Sequence, residues 1–97
     1  MMASRGGPEF DWDEANVRHL ARHKVTAEEF EQAIRNGQII VDYLNVEGED
    51  RWSALGATDS LRVLVLSYTV REERIRAVTA WAAGSGLRER YFRQKRW

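Results

Sequence analysis

Residues 61–69 constrain the fold more than any other segment, because apolar residues occupy both sets of alternating positions along it. Alternate residues of a strand point to opposite faces of the sheet, so a strand that is apolar on both sides is covered on both faces. The turn-forming residues Thr58, Asp59 and Ser60 come directly before this segment. We therefore expect residues 61–69 to form the central strand of a sheet with a packed layer on each side.

Three further segments carry the β-branched and aromatic residues that are typical of strands. A first strand is predicted over residues 39–44, a second over 51–56 and a fourth over 73–81. A polar turn over residues 45–49 joins the first two. Because the four strands follow one another along the chain, the sequence predicts a four-stranded antiparallel meander.

Helices are predicted on both sides of these strands. The first covers about residues 13–23, and the second begins at a capping box formed by Thr26 and Glu29 and ends at residues 36–37. A third, rich in arginine, is predicted over about 87–95. These elements predict an α+β fold with two N-terminal helices, a four-stranded antiparallel meander sheet and a C-terminal helix.

The length of 97 residues allows one modest core, so a single domain is predicted over residues 10–97. Residues 1–9 contain two glycines and the single proline, and they are predicted to be a flexible N-terminal extension or a tag remnant. The absence of cysteine excludes disulfides and thiolate nucleophiles. The longest apolar run is far below the ~20 residues of a membrane span, so we expect a cytoplasmic protein that does not enter a membrane.

A net charge of zero conceals two halves of opposite charge. Residues 1–50 contain 5 Lys/Arg against 11 Asp/Glu, whereas residues 51–97 contain 10 against 4. A basic surface on the second half would attract an anion such as a phosphate backbone. The basic helix over 87–95 is either a solvated face or a segment that contacts nucleic acid or an acidic partner.

Four arginines on the predicted strands are the main candidates for chemistry: Arg51, Arg62, Arg74 and Arg76. A guanidinium offers paired donors to a phosphate and keeps its charge throughout a reaction, so it suits the stabilisation of a charged transition state. These residues converge only if the strand registers align them, because a shift of one residue reverses the face. The alternative is a structural role as solvated residues or as partners of Glu31, Asp42, Glu47 and Asp50.

Histidine and tryptophan supply further candidates. His19 and His23 have the spacing of a helical zinc pair, but Leu20 stands where a metalloprotease motif has glutamate, so no metal site is predicted. His23 alone is a candidate general acid or base, because imidazole changes its charge near neutral pH. The four tryptophans, Trp12, Trp52, Trp81 and Trp97, can each fill a core or stack on a base of single-stranded RNA.

Several separated blocks, in this order, resemble the BrnT family of toxins. They are Phe-Asp-Trp-Asp-Glu-Ala at residues 10–15, Arg-His-Lys-Val at 22–25, Glu-Glu-Phe at 28–30, Asp-Arg at 50–51, Leu-Gly at 55–56, Arg62, Tyr-Thr at 68–69 and Arg-Ile-Arg at 74–76. The resemblance covers about residues 10–91. It implies a RelE-like ribonuclease fold and a toxin of a type II toxin–antitoxin pair that cuts RNA and is neutralised by a BrnA-like antitoxin protein.

The same resemblance assigns site residues. Arg51, Arg62, Arg74 and Arg76 match recurring arginines of the family, His23 matches its Lys/Arg-His-Gly-Val block, and Tyr68 is a further candidate. Cleavage of this kind needs an activated 2′-hydroxyl, a cation at the phosphate and a proton for the leaving oxygen. The sequence therefore predicts a metal-independent endoribonuclease with no cofactor, acting as a homodimer or within a toxin–antitoxin hetero-oligomer.

One departure from the family pattern opens an alternative. Trp81 stands where the family typically has arginine, Ala82 where a second arginine is common, and Lys24 replaces the usual glycine. Loss of one charge at a transition state lowers a rate by about 10² to 10³. The alternative is therefore a weakened or inactive toxin homologue that acts as an antitoxin- or nucleic-acid-binding module.

Overall fold

A computed structural model describes residues 8–95 of the chain. Within this range the elements are β1 (Glu9–Phe10), α1 (Glu14–Ala21), α2 (Ala27–Arg35), β2 (Ile39–Val46), β3 (Glu49–Ala57), β4 (Val63–Arg71), β5 (Arg74–Ala82) and α3 (Ser85–Lys95). The strands form one sheet in the order β1-β5-β4-β3-β2. The α+β class is thereby confirmed. None of the helices in this range is long and apolar enough to cross a membrane.

The prediction of a four-stranded, wholly antiparallel sheet was wrong, because the sheet has five strands and is mixed. The additional strand β1 precedes the helices and runs parallel to β5, with Glu9 opposite Arg74 and Phe10 opposite Ile75. A strand of two residues is too short to show an alternating pattern, so the sequence contains no signal for it. The predicted N-terminal extension over 1–9 and Trp97 fall largely outside the described residues, which include only Pro8 and Glu9 of that extension.

The central position of β4 is confirmed, with a shift in its bounds. It is third of the five strands, and its residues from Val63 to Thr69 are all buried. The strand starts two residues later than predicted because Leu61 still belongs to the preceding turn. Leu61 has a φ of 67°, and its N–H donates to the carbonyl of Thr58 at 2.8 Å.

Helices α1 and α2 begin directly after their capping residues, whereas α3 begins two residues earlier than predicted. The N–H of Glu29 donates to Thr26 Oγ1 at 3.0 Å, and the N–H of Thr26 donates to Glu29 Oε1 at 3.0 Å. This reciprocal pair is the predicted capping box of α2. Asp13 caps α1 in the same way with Asn16. The caps leave α1 and α2 as separate short helices on one face of the sheet.

Each face of the sheet carries its own apolar cluster. On the first face, Leu20 of α1 and Phe30 of α2 pack with Leu66 of β4, and all three are fully buried. On the second face, Tyr91 of α3 packs with Val65 of β4. The apolar cluster under α3 includes residues from the start of β2, the end of β3 and the start of β4. The opposite ends of these strands lie on the same face of the sheet but outside this cluster.

Candidate functional site

The second face of the sheet carries a set of polar side chains beyond the apolar cluster under α3. Cross-strand partners point to the same face, so the strand registers identify the members of the set. We call this set the polar sheet face, and its residues are Arg51 and Ser53 of β3, Ser67 and Thr69 of β4, and Arg76 and Thr79 of β5.

Arg51 and Arg76 lie on either side of Thr69. Thr69 is opposite Arg76 in the register of β4 and β5. On the other side of β4, Trp52 of β3 is opposite Tyr68. Arg51, the residue before Trp52, therefore lies beside Thr69. Neighbouring strands are about 4.8 Å apart, which places the two arginine backbones roughly 10 Å apart. Two side chains of this length can contact one phosphate held above Thr69.

Hydroxyl groups form the neighbouring row of the polar sheet face. Ser67 is opposite Ser53 on one side and Thr79 on the other. A β-bulge follows in β5, where Val78 is the extra residue between Thr79 and Ala77. A bulge re-aims the side chains on either side of it. The bulge keeps Thr79 and Arg76 on one face although three positions, an odd number, separate them.

Arg76 is the most strongly paired of the arginines. Its Nη2 donates to Asp13 Oδ2 at 2.6 Å, and its Nη1 lies 3.5 Å from Asp11. The hydrogen bond to Asp13 raises the pKa of Arg76 further above its ordinary value. The backbone N–H of Asn16 and then Arg76 itself lower the pKa of Asp13. The two aspartates before α1 therefore orient Arg76, whose side chain is 23% exposed.

Arg51 has hydrogen-bonding capacity that the described chain does not use. Its Nε is buried and has no hydrogen-bond partner among residues 8–95. Its Nη2 lies 3.8 Å from Glu49, too far for a hydrogen bond. An unsatisfied buried donor costs about 1–3 kcal/mol, so a bound anion that accepts from Nε would recover this cost.

The ion-pair partners that the sequence suggested for the arginines were wrong. The described ion pairs of these arginines involve none of the expected carboxylates, Glu31, Asp42, Glu47 and Asp50. Arg74 lies on the same face as Arg76 and is 3.8 Å from Glu9. Since β1 was not predicted, the carboxylates beside it were not expected near β5.

Two histidines, His19 of α1 and His23 in the turn that follows it, reach the edge of the second face. His19 Nε2 lies 3.3 Å from Thr79 Oγ1, within hydrogen-bond distance. The ring centroids of His19 and His23 are 5.8 Å apart, and His23 lies 6.3 Å from the ring of Trp81. Sequence reasoning selected His23 and missed His19, although their spacing of four residues placed them on one helix face.

In the described part of the chain, no three residues among His, Asp and Glu are grouped so that they could hold a metal ion. The polar sheet face itself carries guanidinium groups and hydroxyls, and the aspartates that pair with Arg76 and the two imidazoles lie beside it.

Tyr68 and Arg62 lie away from this site. Tyr68 points to the first face of the sheet, is 5% exposed and donates its O–H to Gln38 Oε1 at 2.9 Å. Burial raises the pKa of Tyr68 above its ordinary value. Arg62 donates to both carboxylate oxygens of Glu29 and to the carbonyl of Lys24. The structure thus brings Arg51, Arg74 and Arg76 together, with His23 at the edge of their face.

The Asp13 carboxylate, which accepts from the backbone N–H of Asn16 and from Arg76, predicts a loss of stability in acid. The pKa of Asp13 in the folded protein is below the ordinary value of 3.8, so its carboxylate contributes stability above that pH. This contribution disappears as the pH falls through the folded pKa. We expect the free energy of unfolding of Asp13→Asn to decline less than that of the wild type between pH 5 and pH 2, measured by urea denaturation at each pH.

Glu28→Gln serves as the control for this measurement, because Glu28 is an exposed carboxylate on α2. Its unfolding free energy should follow the wild-type pH dependence. Parallel curves for Asp13→Asn and the wild type would show that the Asp13 carboxylate contributes no pH-dependent stability.

Comparison with known proteins identifies one family. The family model for "Ribonuclease toxin, BrnT, of type II toxin-antitoxin system" matches residues 12–85, more than half of the chain. The matched region runs from Trp12 to the first residue of α3, so it includes β2 to β5 and every residue of the polar sheet face. No curated protein matches the chain.

Proposed function

The chain belongs to the BrnT family of ribonuclease toxins of type II toxin–antitoxin systems, and we propose that it cleaves RNA on the polar sheet face without a metal ion. The observation that carries this proposal is the placement of Arg51 and Arg76 on either side of the buried Thr69. In addition, the Nε of Arg51 is buried and has no hydrogen-bond partner among residues 8–95, so the described chain leaves part of this guanidinium unused.

The proposed reaction is transfer of a phosphoryl group within the RNA strand. The 2′-oxygen attacks the adjacent phosphorus, the bond from phosphorus to the 5′-oxygen breaks, and a 2′,3′-cyclic phosphate and a 5′-hydroxyl result. A base accepts the 2′-hydroxyl proton, and an acid donates a proton to the departing 5′-oxygen. Arg51 and Arg76 hold the non-bridging oxygens, on which negative charge accumulates in the transition state.

The histidines are the proposed proton-transfer groups. Thr79, which contacts His19, is three positions from Arg76, so a phosphate at the arginines lies within about 10 Å of that contact. RNA that lies across this face passes both imidazoles, because the ring of His23, in the turn after α1, is 5.8 Å from the ring of His19. Arg74, on the same face near Glu9, contacts a neighbouring phosphate of the strand.

The partner assignment follows from the family. A type II toxin has an antitoxin protein, and we propose a BrnA-like antitoxin that forms a hetero-oligomer with this chain in the cytoplasm. A RelE-like fold, with RNA bound on the sheet, is part of the same proposal.

The test is an RNA cleavage assay with the purified full chain in the presence of EDTA. Structured and single-stranded RNAs are incubated with the protein, and the product ends are identified by mass spectrometry. We expect fragments that end in cyclic phosphate and begin with a 5′-hydroxyl. Fragments with 5′-phosphate ends, or cleavage that requires an added divalent ion, would contradict the proposed mechanism.

A second function is favoured by Trp81 and by the ion pairs of Arg76. If the missing family arginine and the paired guanidinium leave too little positive charge, the chain binds its antitoxin or RNA without cleaving either. Tight antitoxin binding together with intact RNA in the same assay would establish this second function.

The position of Tyr68 predicts that its hydroxyl is not needed for cleavage. Tyr68→Phe removes the hydrogen bond to Gln38 and should lower the free energy of unfolding by about 1 kcal/mol. Because the ring lies on the first face of the sheet, the cleavage rate should stay within about twofold of wild type. A folded Tyr68→Phe protein that cleaves tenfold more slowly would place the hydroxyl in the reaction.

A further inference from the structure

Trp81 lies on the same face of the sheet as the arginines. It is opposite Val65, which is two positions from Ser67 and four from Thr69 on the regular strand β4. Its register therefore aligns it with Thr79 and Arg76 rather than with the core beneath α1 and α2. The indole is 43% exposed, so a large aromatic ring remains accessible beside a polar surface that carries guanidinium groups.

The contacts of Trp81 leave its ring accessible for stacking. The His23 ring lies 6.3 Å away at an interplanar angle of 55°, so the imidazole does not stack on the indole. On the same strand, Arg76 is five positions away, which corresponds to roughly 15 Å along β5. A strand of RNA that runs along β5 from a phosphate at Arg76 therefore passes Trp81.

We propose that Trp81 is a stacking platform for an unpaired base of single-stranded RNA whose phosphates lie on the arginines. This inference rests on the proposed function, since it concerns the same bound strand. Bases stack on exposed aromatic rings whatever their sequence, whereas phosphates are held by guanidinium groups. The platform selects unpaired RNA, because a base within a duplex is not free to stack on a protein ring.

The proposed platform gives a physical role to Trp81, which stands where the family resemblance places an arginine. The resemblance places an arginine at position 81, which would attract the phosphate backbone. The tryptophan in this chain instead contacts the base of a nucleotide near the reacting phosphate. An arginine at position 81 would contribute a charge interaction that weakens as salt increases, whereas Trp81 contributes stacking, which requires a base.

The experiment measures binding of a 2′-O-methyl oligonucleotide, which cannot be cleaved, by fluorescence anisotropy with the full-length protein. The same strand with abasic positions serves as the second probe, because it retains the phosphates and lacks bases. The variants are Trp81→Ala, Trp81→Phe and Trp81→Arg. Leu61→Ala, a truncation of an exposed side chain in the turn before β4, is the control.

We expect Trp81→Ala to weaken binding of the intact strand at least about fivefold and to leave binding of the abasic strand unchanged. Trp81→Phe should retain most of the affinity, since phenylalanine also stacks. Trp81→Arg should bind both strands with a steeper dependence on salt. Leu61→Ala should match the wild type for both probes.

Failure of this inference and failure of the proposed function give different results. If the wild type binds the abasic strand but gains nothing from bases, or if Trp81→Ala weakens both probes equally, the stacking platform is wrong and the phosphate site stands. If the wild type binds neither probe, the phosphate site and the platform are both wrong.

Discussion

Replacing Arg76 with alanine is expected to lower the rate of RNA cleavage about 10²- to 10³-fold, which is the usual effect of removing one preorganised donor to a developing negative charge. Arg51→Ala should cause a loss of the same order, because Arg51 flanks the same threonine from the other side. The rates are measured under single-turnover conditions with a labelled RNA, so that product release does not mask the chemical step.

Two further variants separate catalysis from charge and folding. Arg76→Lys keeps the charge but lacks the fork of paired donors, so its rate should fall between those of the wild type and Arg76→Ala. Arg18→Ala removes an exposed arginine of α1 that pairs only loosely with Glu14, at 3.5 Å, and its rate should be unchanged. A folded Arg76→Ala protein with wild-type activity would remove Arg76 from the proposed site.

Gly56→Ala is expected to destabilise the protein by about 3 kcal/mol, the upper part of the usual range for overpacking a core. A Cβ at Gly56 would clash with the carbonyl oxygen of Ala33 in α2. Because this contact is with backbone, relief requires that the whole helix move away from β3. The measurement is the shift in urea midpoint at constant m-value.

Gly86→Ala is the matched control for the same chemical change. Apart from its chain neighbours and the backbone of α3 itself, no heavy atom of the described residues lies within 4 Å of the position of its Cβ, and the residue is in the first turn of α3. Alanine there should stabilise the protein by about 0.5–1 kcal/mol, because it restricts the unfolded chain. If Gly56→Ala unfolds at the wild-type midpoint, α2 does not pack on β3 as closely as the structure indicates.

Contacts between distant parts of the chain, such as the contact of Gly56 with α2, explain why part of the fold could be predicted from the sequence and part could not. The capping box of Thr26 and Glu29 is a local feature, and it marked the start of α2 correctly. Strand β1 depends on Phe10 packing near Phe30, with the ring centroids 6.4 Å apart. A contact between residues so far apart in the chain leaves no trace in the local pattern.

The candidate site shows the same division. The alternation of Arg74, Ile75 and Arg76 in the sequence already placed the two arginines on one face of a strand. The bulge at Val78 and the pairing of Ser67 with Thr79 were needed to place them with Arg51 and near His19. Tyr68 and Arg62 carry the same chemical groups as site residues, and only their positions on the sheet separate them from it.

By itself, the sequence determined the α+β class, the capped start of α2, the central place of β4 and membership of the toxin family, because these follow from local residue patterns and from ordered blocks of residues. Tertiary structure alone decided which cations share a face, which carboxylates orient them and that Trp81 is exposed. Strand register controls all three, since a shift of one residue would turn every side chain of a strand to the opposite face.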